Sequence, residues 1–416
     1  MDQAIAYLKQ LPHAEVKPGL ERIRALLEGV GNPHERLRTV HIGGTNGKGS
    51  VAALCASVLR MAGYRVGLYT SPHLVRYCER IQINGRAIAE DEFAHIADEL
   101  MPIAEAMADR PTQFEFLTAM AFLYFARRKI DIAVIEVGLA GRFDATNVII
   151  PMVSVLTNVE LDHTDLLGET VEQIAWEEAG IAKKDVPLVT GERKPSVLEV
   201  IARECAAVGA PLICARERAR ALDFSWEYQE FAIDQASPGP FVLRLRLLGG
   251  YQRENLNVAL EALEVLRQTL EISPEALRAG LEQASWPGRF EVVHKRPYIV
   301  LDGAHNPHAA RALREDVRRY REKYTLQKSA LLFGVLKEKD YRAMAEILFP
   351  EFDEIVLVKP DSPRALDPHA LLPWAPGAKI CNTIPEGLDV ARATGADLIC
   401  VTGSLYVVGA VKRLFL

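Results

Sequence analysis

The chain has 416 residues, with 49 lysines and arginines against 55 aspartates and glutamates and a formal net charge of −6. At roughly 100–200 residues per domain, this length predicts two or three domains and excludes a single small module. The composition, 49% hydrophobic and 25% charged, is that of an ordinary globular protein, and the mild acidity argues against a large basic surface for DNA or RNA.

Short apolar, β-branched runs alternate with longer helical patterns through the first part of the chain. This alternation predicts an α/β fold with a mostly parallel sheet covered by helices. The predicted strands are Arg38–Ile42, Arg65–Tyr69, Asp131–Val137, Met152–Asn158, Pro187–Thr190 and Pro211–Cys214. The predicted helices include Lys48–Met61, Asp91–Ala108, Gln113–Arg128 and Val171–Ala182.

The pattern changes between Leu222 and Leu248, where alternating residues predict a small antiparallel element before a helix from Gln252 to Leu270. Near Trp286–Arg289 the helical pattern stops and a second strand–helix alternation begins. Its strands are predicted at Tyr298–Leu301, Ser329–Gly334, Glu354–Lys359 and Asp397–Thr402, with helices starting near Pro307, Glu338, Pro385 and Leu405. We therefore predict two domains, residues 1–290 and a smaller, Rossmann-like domain over residues 291–416.

A glycine-rich segment, Gly43–Ser50, joins the first predicted strand to a helix. Glycines let backbone N–H groups close around phosphate oxygens, and a helix N-terminus and a lysine add positive charge. The segment departs from the strict Walker pattern because Gly49 separates the lysine from the hydroxyl residue. The alternative is a glycine-rich turn that binds nothing. We expect phosphate binding by Thr45, Asn46, Gly47, Lys48, Gly49 and Ser50.

Further motifs follow in order along the chain. They are TSPHL (Thr70–Leu74), ERIQING (Glu79–Gly85), QFEFLTAM (Gln113–Met120), EVGLAGRFDATN (Glu136–Asn147), LDHT (Leu161–Thr164), Gln252 with Asn255, PGR (Pro287–Arg289) and LDGAHNP (Leu301–Pro307). Together they resemble the folylpolyglutamate synthase/dihydrofolate synthase family of the Mur ligase superfamily over nearly the whole chain. The resemblance implies a large phosphate-loop ATPase domain of the Mur ligase type and a smaller C-terminal glutamate-ligase domain.

The resemblance also implies a reaction. Such a ligase uses ATP to join a carboxylate to an amine through an acyl phosphate, with L-glutamate added to folates and also to dihydropteroate. Concentrated positive charge is needed to bring two anions together, so ATP and Mg²⁺, as two ions, are the expected cofactors. A monofunctional folylpolyglutamate synthase and another Mur-type amide ligase are alternatives within the class. A nucleotide-dependent switch is an alternative outside it.

By resemblance, Ser71, Glu136 and His163 are the expected metal ligands, and Lys48, Glu136 and His163 are expected to be catalytic. Glu136 also has support from the residues alone, because it ends an apolar strand where α/β sheets place ligand-handling residues and where a carboxylate is costly to bury without a partner. Ser71 could instead be an ordinary turn residue before Pro72. His163 could simply cap the following helix.

One position departs from the family. Most members carry a Glu-Lys-Ala-Gly run whose lysine is carbamylated and serves the second metal ion, whereas this chain has Glu177-Glu178-Ala179-Gly180. We predict that the carboxylate of Glu178 replaces the carbamate as a catalytic group and removes any bicarbonate dependence. In the alternatives, Glu178 is a solvated helix residue, or Lys183 or Lys184 substitutes for the missing lysine.

The remaining site residues are also carried over by resemblance. Asn255, Arg289, Asp302 and His305 are the expected further contacts to ATP. Arg289 could otherwise be a linker residue in a surface salt bridge, and Asp302 a helix cap.

For the pterin-bearing substrate we expect Phe114, Glu115, Arg142 and Asp144, although Phe-Glu-Phe at helical spacing is more often part of a core. Ala140 replaces a family glycine in the loop beneath this substrate. The segments Lys337–Asp340 and Ser362–Arg364 are candidates for holding the incoming glutamate.

Six widely spaced cysteines without a Cys-x-x-Cys pair fit a reducing compartment. The N-terminus lacks the features of a signal peptide, and no run approaches the roughly 18 apolar residues of a membrane span. We therefore expect a cytoplasmic monomer that acts on small molecules and binds neither nucleic acid nor membranes.

Overall fold

The computed structural model describes residues 1–12, 19–234 and 239–416. Its strands are β1 (Thr39–Gly43), β2 (Val66–Tyr69), β3 (Ile81–Ile83), β4 (Arg86–Ala87), β5 (Ile132–Glu136), β6 (Val153–Leu156), β7 (Leu188–Thr190), β8 (Leu212–Cys214), β9 (Ala219–Phe224), β10 (Gln229–Ile233), β11 (Phe241–Leu245), β12 (Glu291–Lys295), β13 (Tyr298–Leu301), β14 (Ser329–Phe333), β15 (Glu354–Val358), β16 (Lys379–Cys381) and β17 (Leu398–Thr402).

The helices cover the sheets and connect their strands. They are α1 (Asp2–Gln10), α2 (Glu21–Glu28), α3 (Lys48–Met61), α4 (Glu90–Ala106), α5 (Gln113–Arg127), α6 (Thr164–Leu167), α7 (Val171–Glu178), α8 (Pro195–Val208), α9 (Gln252–Leu266), α10 (Pro274–Gln283), α11 (Pro307–Tyr324), α12 (Tyr341–Leu348), α13 (Ile384–Ala393) and α14 (Leu405–Arg413). Among helices formed by the described residues, none combines the length and apolar character needed to cross a lipid bilayer.

The first sheet has eight strands in the order β4-β3-β2-β5-β1-β6-β7-β8. The six strands from β2 to β8 are parallel, and β3 and β4 form an antiparallel edge. Every residue of β1 and β5 is buried, as expected for strands of a parallel sheet that is covered on both faces. Strand β5 is an apolar run up to Glu136, whereas β1 also buries the polar side chains of Thr39 and His41. Strand β1 lies at the centre, so its C-terminal end faces the crevice where such sheets bind ligands.

A second sheet has six strands in the order β12-β13-β17-β14-β15-β16. The five from β13 to β16 are parallel, and β12 pairs antiparallel with β13 at the edge. Tyr320 on α11 is fully buried in its core, together with Leu331 and Phe333 of β14. The predicted α/β class with a mostly parallel sheet is therefore confirmed. At the predicted antiparallel element, the three-stranded sheet β11-β10-β9 is present.

The chain packs as two compact units. The first comprises Met1–Leu222, Glu230–Leu245 and Arg253–Ala284, and the second comprises Asp223–Gln229, Arg246–Gln252 and Ser285–Leu416. The second unit thus includes two short segments that precede α9 in the sequence. The predicted domain boundary between residues 290 and 291 stays a prediction.

Candidate functional site

The segment Gly43–Ser50 forms a loop between the central strand β1 and helix α3. Gly44 and Gly47 have φ angles of 113° and 87°, a region that favours glycine. A Cβ atom at Gly44 would lie 2.2 Å from Oγ1 of Thr157, and one at Gly47 would lie 2.1 Å from Oδ1 of Asn255. Both glycines are therefore required by backbone conformation and by close approach, and Asn255 lies directly against the loop.

Residues that follow β6 hold the loop in place. The Thr157 hydroxyl donates to the Asn46 carbonyl at 2.7 Å, and Oδ1 of Asn158 accepts from the Asn46 N–H at 3.0 Å. The ammonium of Lys48 folds back onto the loop, donating to the Gly44 carbonyl at 2.6 Å and the Thr45 carbonyl at 3.3 Å. The lysine is thus already positioned within the loop that would surround a phosphate chain.

We predict that Gly44→Ala weakens ATP binding at least about tenfold, because the added methyl group collides with Thr157 and shifts the loop. The matched control is Gly63→Ala, since Gly63 also has a positive φ (91°) but no heavy atom within 4 Å of the added Cβ. Both variants should lose about 1–2 kcal/mol of stability from backbone strain. Calorimetric titration with a non-hydrolysable ATP analogue distinguishes them, and equal affinities would contradict the prediction.

Glu178, the last residue of α7, reaches the same loop. The residue is only 3% exposed, and Oε2 accepts from the Gly44 N–H at 2.9 Å. Burial raises the pKa of this carboxyl to about 7, opposed by Lys48 and by the Gly44 N–H. The alternative of a solvated helix residue is therefore wrong. Lys183, the other candidate, donates to the backbone and side-chain oxygens of Asn147 at 3.0 and 2.7 Å.

Glu136 ends β5 beside the loop, since its register partner on β1 is Ile42. The residue is 4% exposed, and its carboxylate accepts from the Ser71 N–H at 2.9 Å. Ser71 lies just after β2, the neighbour of β5. The structure therefore brings together two of the three predicted metal ligands, with the carboxylate and the serine in direct contact.

His163 precedes the short helix α6 and has a left-handed φ of 50°. Its Nε2 lies 3.9 Å from Oδ1 of Asp162. Within the described part of the chain, no three His, Cys, Asp or Glu side chains group closely enough to hold a metal ion. Mg²⁺ is usually bound by one or two carboxylates together with waters and substrate phosphates. The Glu136–Ser71 pair fits that requirement, and the predicted metal role of His163 stays a prediction.

Two of the four residues predicted to bind the pterin, Phe114 and Glu115, have different surroundings. Phe114 is half-buried, and its ring packs on Gly138, where a Cβ atom would lie 2.4 Å from Cζ of the ring. The carboxylate of Glu115 instead pairs with Arg22, Nε to Oε2 at 3.1 Å, and accepts from the Thr112 N–H at 2.7 Å. Phe114 therefore lies against the backbone that follows β5, and Glu115 is engaged within the core.

Arg142 and Asp144 also have protein partners. The Arg142 guanidinium donates to Glu204 at 2.6 Å and lies 3.9 Å from the centre of the Trp176 ring. Asp144 is 6% exposed, and its carboxylate accepts from the N–H groups of Gly138 and Leu139 at 3.0 Å each. These contacts hold the loop after β5, and the predicted substrate role of both residues stays a prediction.

The second unit brings its own predicted ATP contacts together. Asp302, which follows β13, accepts from the Phe290 N–H at 2.8 Å and from the Tyr251 hydroxyl at 2.9 Å. The guanidinium of Arg289 lies over Gly303, where a Cβ atom would be 2.5 Å from Nη1. His305 follows, and its Nδ1–H donates to the Gly303 carbonyl at 2.8 Å. Tyr251 was not predicted from the sequence, although it directly precedes the Gln252 motif.

The two segments suggested for glutamate lie side by side in this unit. The Lys337 N–H donates to the Arg364 carbonyl at 2.9 Å. The Arg364 guanidinium pairs with Glu338 at 2.7 Å. The structure thus joins the loops that follow β14 and β15 and leaves the predicted role of Lys337–Asp340 and Ser362–Arg364 as a prediction.

A glycine-rich loop between the central strand of a parallel sheet and a helix is the phosphate site of nucleotide-binding α/β proteins. By fold and by loop, the first unit belongs to this class. Residues 42–263 match the model of the Mur ligase middle domain, and residues 288–405 match that of the Mur ligase glutamate ligase domain.

Individual relatives match over nearly their whole length. A Bacillus subtilis dihydrofolate synthase/folylpolyglutamate synthase is 35% identical, covering 96% of this chain and 95% of the relative. A Lacticaseibacillus casei folylpolyglutamate synthase is 36% identical over 100% of this chain and 98% of the relative. An Escherichia coli structure in complex with DHPP and ADP superposes with a TM-score of 0.88 at 31% identity, covering 99% of this chain and 97% of that one. The chain belongs to the folylpolyglutamate synthase/dihydrofolate synthase family of the Mur ligase superfamily, which confirms the resemblance carried by the motifs.

Proposed function

We propose that the protein is an ATP-dependent ligase that adds L-glutamate to folates and also to dihydropteroate. The observation that carries this proposal is that the glycine-rich segment Gly43–Ser50, called the phosphate loop below, lies beside the Glu136–Ser71 pair at neighbouring strand ends. Family membership supports it, since the relatives are named for these two ligations and the E. coli structure contains ADP together with DHPP. The reaction would activate the acceptor carboxylate as an acyl phosphate, which the glutamate amine then attacks.

In this mechanism the loop binds the phosphates of ATP through its N–H groups and the N-terminus of α3. Lys48 would leave the Gly44 and Thr45 carbonyls and place its ammonium on the transferred phosphoryl group. Ser50, which is 2% exposed in the first turn of α3, supplies a hydroxyl next to that group. The loop residues therefore compensate the negative charge that a carboxylate meets when it attacks a phosphate.

Glu136 and Ser71 would hold Mg²⁺ at the end of β5, with His163 as the third proposed ligand. When bound, the ion neutralises charge on the phosphate oxygens during transfer. Ser71 and Glu136 already orient one another through the 2.9 Å hydrogen bond from the serine N–H. Glu178 is proposed to serve a second ion from its buried position beside Gly44.

The remaining roles are assigned by position. Asn255 would contact ATP from the first unit, where it lies against Gly47. Arg289, Asp302 and His305 are likewise proposed as ATP contacts. Phe114 would offer its ring face to the pterin, while Arg142 and Asp144 would act through the loop after β5, and Glu115 through its contacts with Arg22 and Thr112. We infer a cytoplasmic protein, supported by the six cysteines, all unpaired in the structure.

A monofunctional folylpolyglutamate synthase is the alternative, since the L. casei relative carries that name alone. The two are distinguished by assaying ADP release with L-glutamate, ATP and either dihydropteroate or tetrahydrofolate. We expect turnover with both acceptors. Turnover with tetrahydrofolate only would overturn the dihydropteroate activity, and turnover with neither would overturn the ligase assignment.

A further inference from the structure

A buried chain of hydrogen bonds runs beneath the loop that follows β5. His41 on β1 is fully buried, and its Nε2 lies 2.8 Å from Oγ1 of Thr146. The Thr146 hydroxyl donates to Oδ1 of Asp144. Oδ2 of Asp144 accepts from the N–H groups of Gly138 and Leu139. These two amides belong to the second and third residues after Glu136, the last residue of β5.

The direction of these hydrogen bonds is determined by the groups themselves. Burial raises the pKa of the Asp144 carboxyl, but three backbone N–H groups and one hydroxyl donate to it, an arrangement that favours the acceptor-only carboxylate. Because the Thr146 hydroxyl has one proton and gives it to Asp144, it must accept from His41. His41 is therefore the Nε2–H tautomer.

The other ring nitrogen agrees with this assignment. Nδ1 of His41 is buried and has no hydrogen-bond partner among the described residues, so a proton there would be left unsatisfied. Burial, with a contribution from Lys183, lowers the pKa of this histidine to about 3. The imidazole is thus a neutral, fixed donor throughout the physiological pH range.

We infer that Thr146 and His41 are positioning residues, which act through Asp144 to hold the Gly138–Leu139 backbone under the Phe114 ring and beside Glu136. The inference rests on the proposed function for its consequence in catalysis. Gly138 is the contact point, since its position leaves no room for a Cβ atom beneath the ring. Movement of this backbone would displace the ring that is proposed to receive the pterin before it disturbed the phosphate loop.

The test compares Thr146→Val, which removes the hydroxyl and keeps the shape, with Thr146→Ser, which retains the hydroxyl. The matched control is Thr190→Val, because Thr190 is fully buried in the same sheet and its hydroxyl accepts from the Glu192 N–H at 3.1 Å. Hydrogen exchange of the Gly138 and Leu139 amides is measured in the ligand-free protein. We expect about tenfold faster exchange in Thr146→Val, a return towards wild type in Thr146→Ser and no change in Thr190→Val.

Kinetics supply the second readout. We expect the KM for the pterin-bearing acceptor to rise about tenfold in Thr146→Val while the KM for ATP stays within about twofold. Unchanged exchange in Thr146→Val, or equal effects in Thr190→Val, would overturn the inference. An equal rise of both KM values would also overturn it, since it would indicate general loosening. A wild-type protein without ligase turnover would contradict the proposed function instead. The exchange experiment would still show whether Thr146 holds the Gly138–Leu139 backbone.

Discussion

Glu136→Gln is expected to lower kcat about a thousandfold while leaving the fold intact. The glutamine keeps an oxygen that can accept from the Ser71 N–H, at present a 2.9 Å bond to the carboxylate. What the variant loses is the negative charge at the end of β5, where the proposed Mg²⁺ would bind. Because burying that charge is costly, thermal stability in the absence of nucleotide should be equal to or higher than that of the wild type.

The control for this variant is Glu261→Gln, which makes the same change at another buried carboxylate. Glu261 is 5% exposed and pairs with Arg216 and Arg218 at 3.2 and 3.1 Å. Its loss should reduce stability, because it leaves two arginines less well paired, and should leave kcat within about threefold. Steady-state kinetics and thermal unfolding on both variants give opposite patterns. A Glu136→Gln protein that keeps wild-type kcat would contradict the proposed metal site.

The sequence predicted the phosphate loop and its flanking elements well because their signals are local. The predicted and observed bounds of helix Lys48–Met61 are identical, since the loop glycines mark its start. The predicted helix Val171–Ala182 instead ends at Glu178, followed by a tighter turn. A Cβ atom at Gly180 would lie 2.4 Å from Cβ of Arg142, and that close approach of two distant segments leaves no local pattern.

The ion-pair partners of charged residues could not be predicted from the sequence. Glu115 pairs with Arg22 across 93 positions, and Arg142 pairs with Glu204 across 62. No spacing rule connects residues so far apart, so the sequence alone predicts substrate contacts for charged residues that lie next to a motif. Helix α10 is not among the predicted helices, although the sequence carries its start signal, because Ser273 caps the helix through the Ala276 N–H and Pro274 follows.

Substitution of Glu178 is expected to change the Mg²⁺ requirement of the enzyme. A buried carboxylate that accepts one N–H and faces one lysine is poorly compensated, as its pKa of about 7 indicates. A bound cation would supply the missing positive charge, which explains why an encoded carboxylate is tolerated beside the phosphate loop. We therefore expect Glu178→Gln, which keeps an acceptor for the Gly44 N–H, to raise the Mg²⁺ concentration needed for half-maximal rate at least about tenfold.

The neighbouring Glu177→Gln is the matched control, because Glu177 is only partly buried and precedes Glu178 on the same helix. It should respond to Mg²⁺ as the wild type does. The lysine variant Glu178→Lys separates a metal-related role from simple support of the loop. If the carboxylate replaces a carbamate, this variant should be nearly inactive in CO₂-depleted buffer and regain activity with bicarbonate, while the wild type is indifferent to both.

Each alternative outcome has a physical meaning. Full activity of Glu178→Ala at limiting Mg²⁺ would show that the carboxylate is dispensable for the ion. Equal losses in Glu178→Ala and Glu178→Gln, both independent of Mg²⁺, would contradict a metal-related role and leave Glu178 as a support for Gly44. A bicarbonate response in Glu178→Lys, combined with its absence in the wild type, would mean that activity needs a negatively charged oxygen group at this position. The glutamate carboxylate supplies that group in the wild type, and a lysine carbamate formed from CO₂ supplies it in the variant.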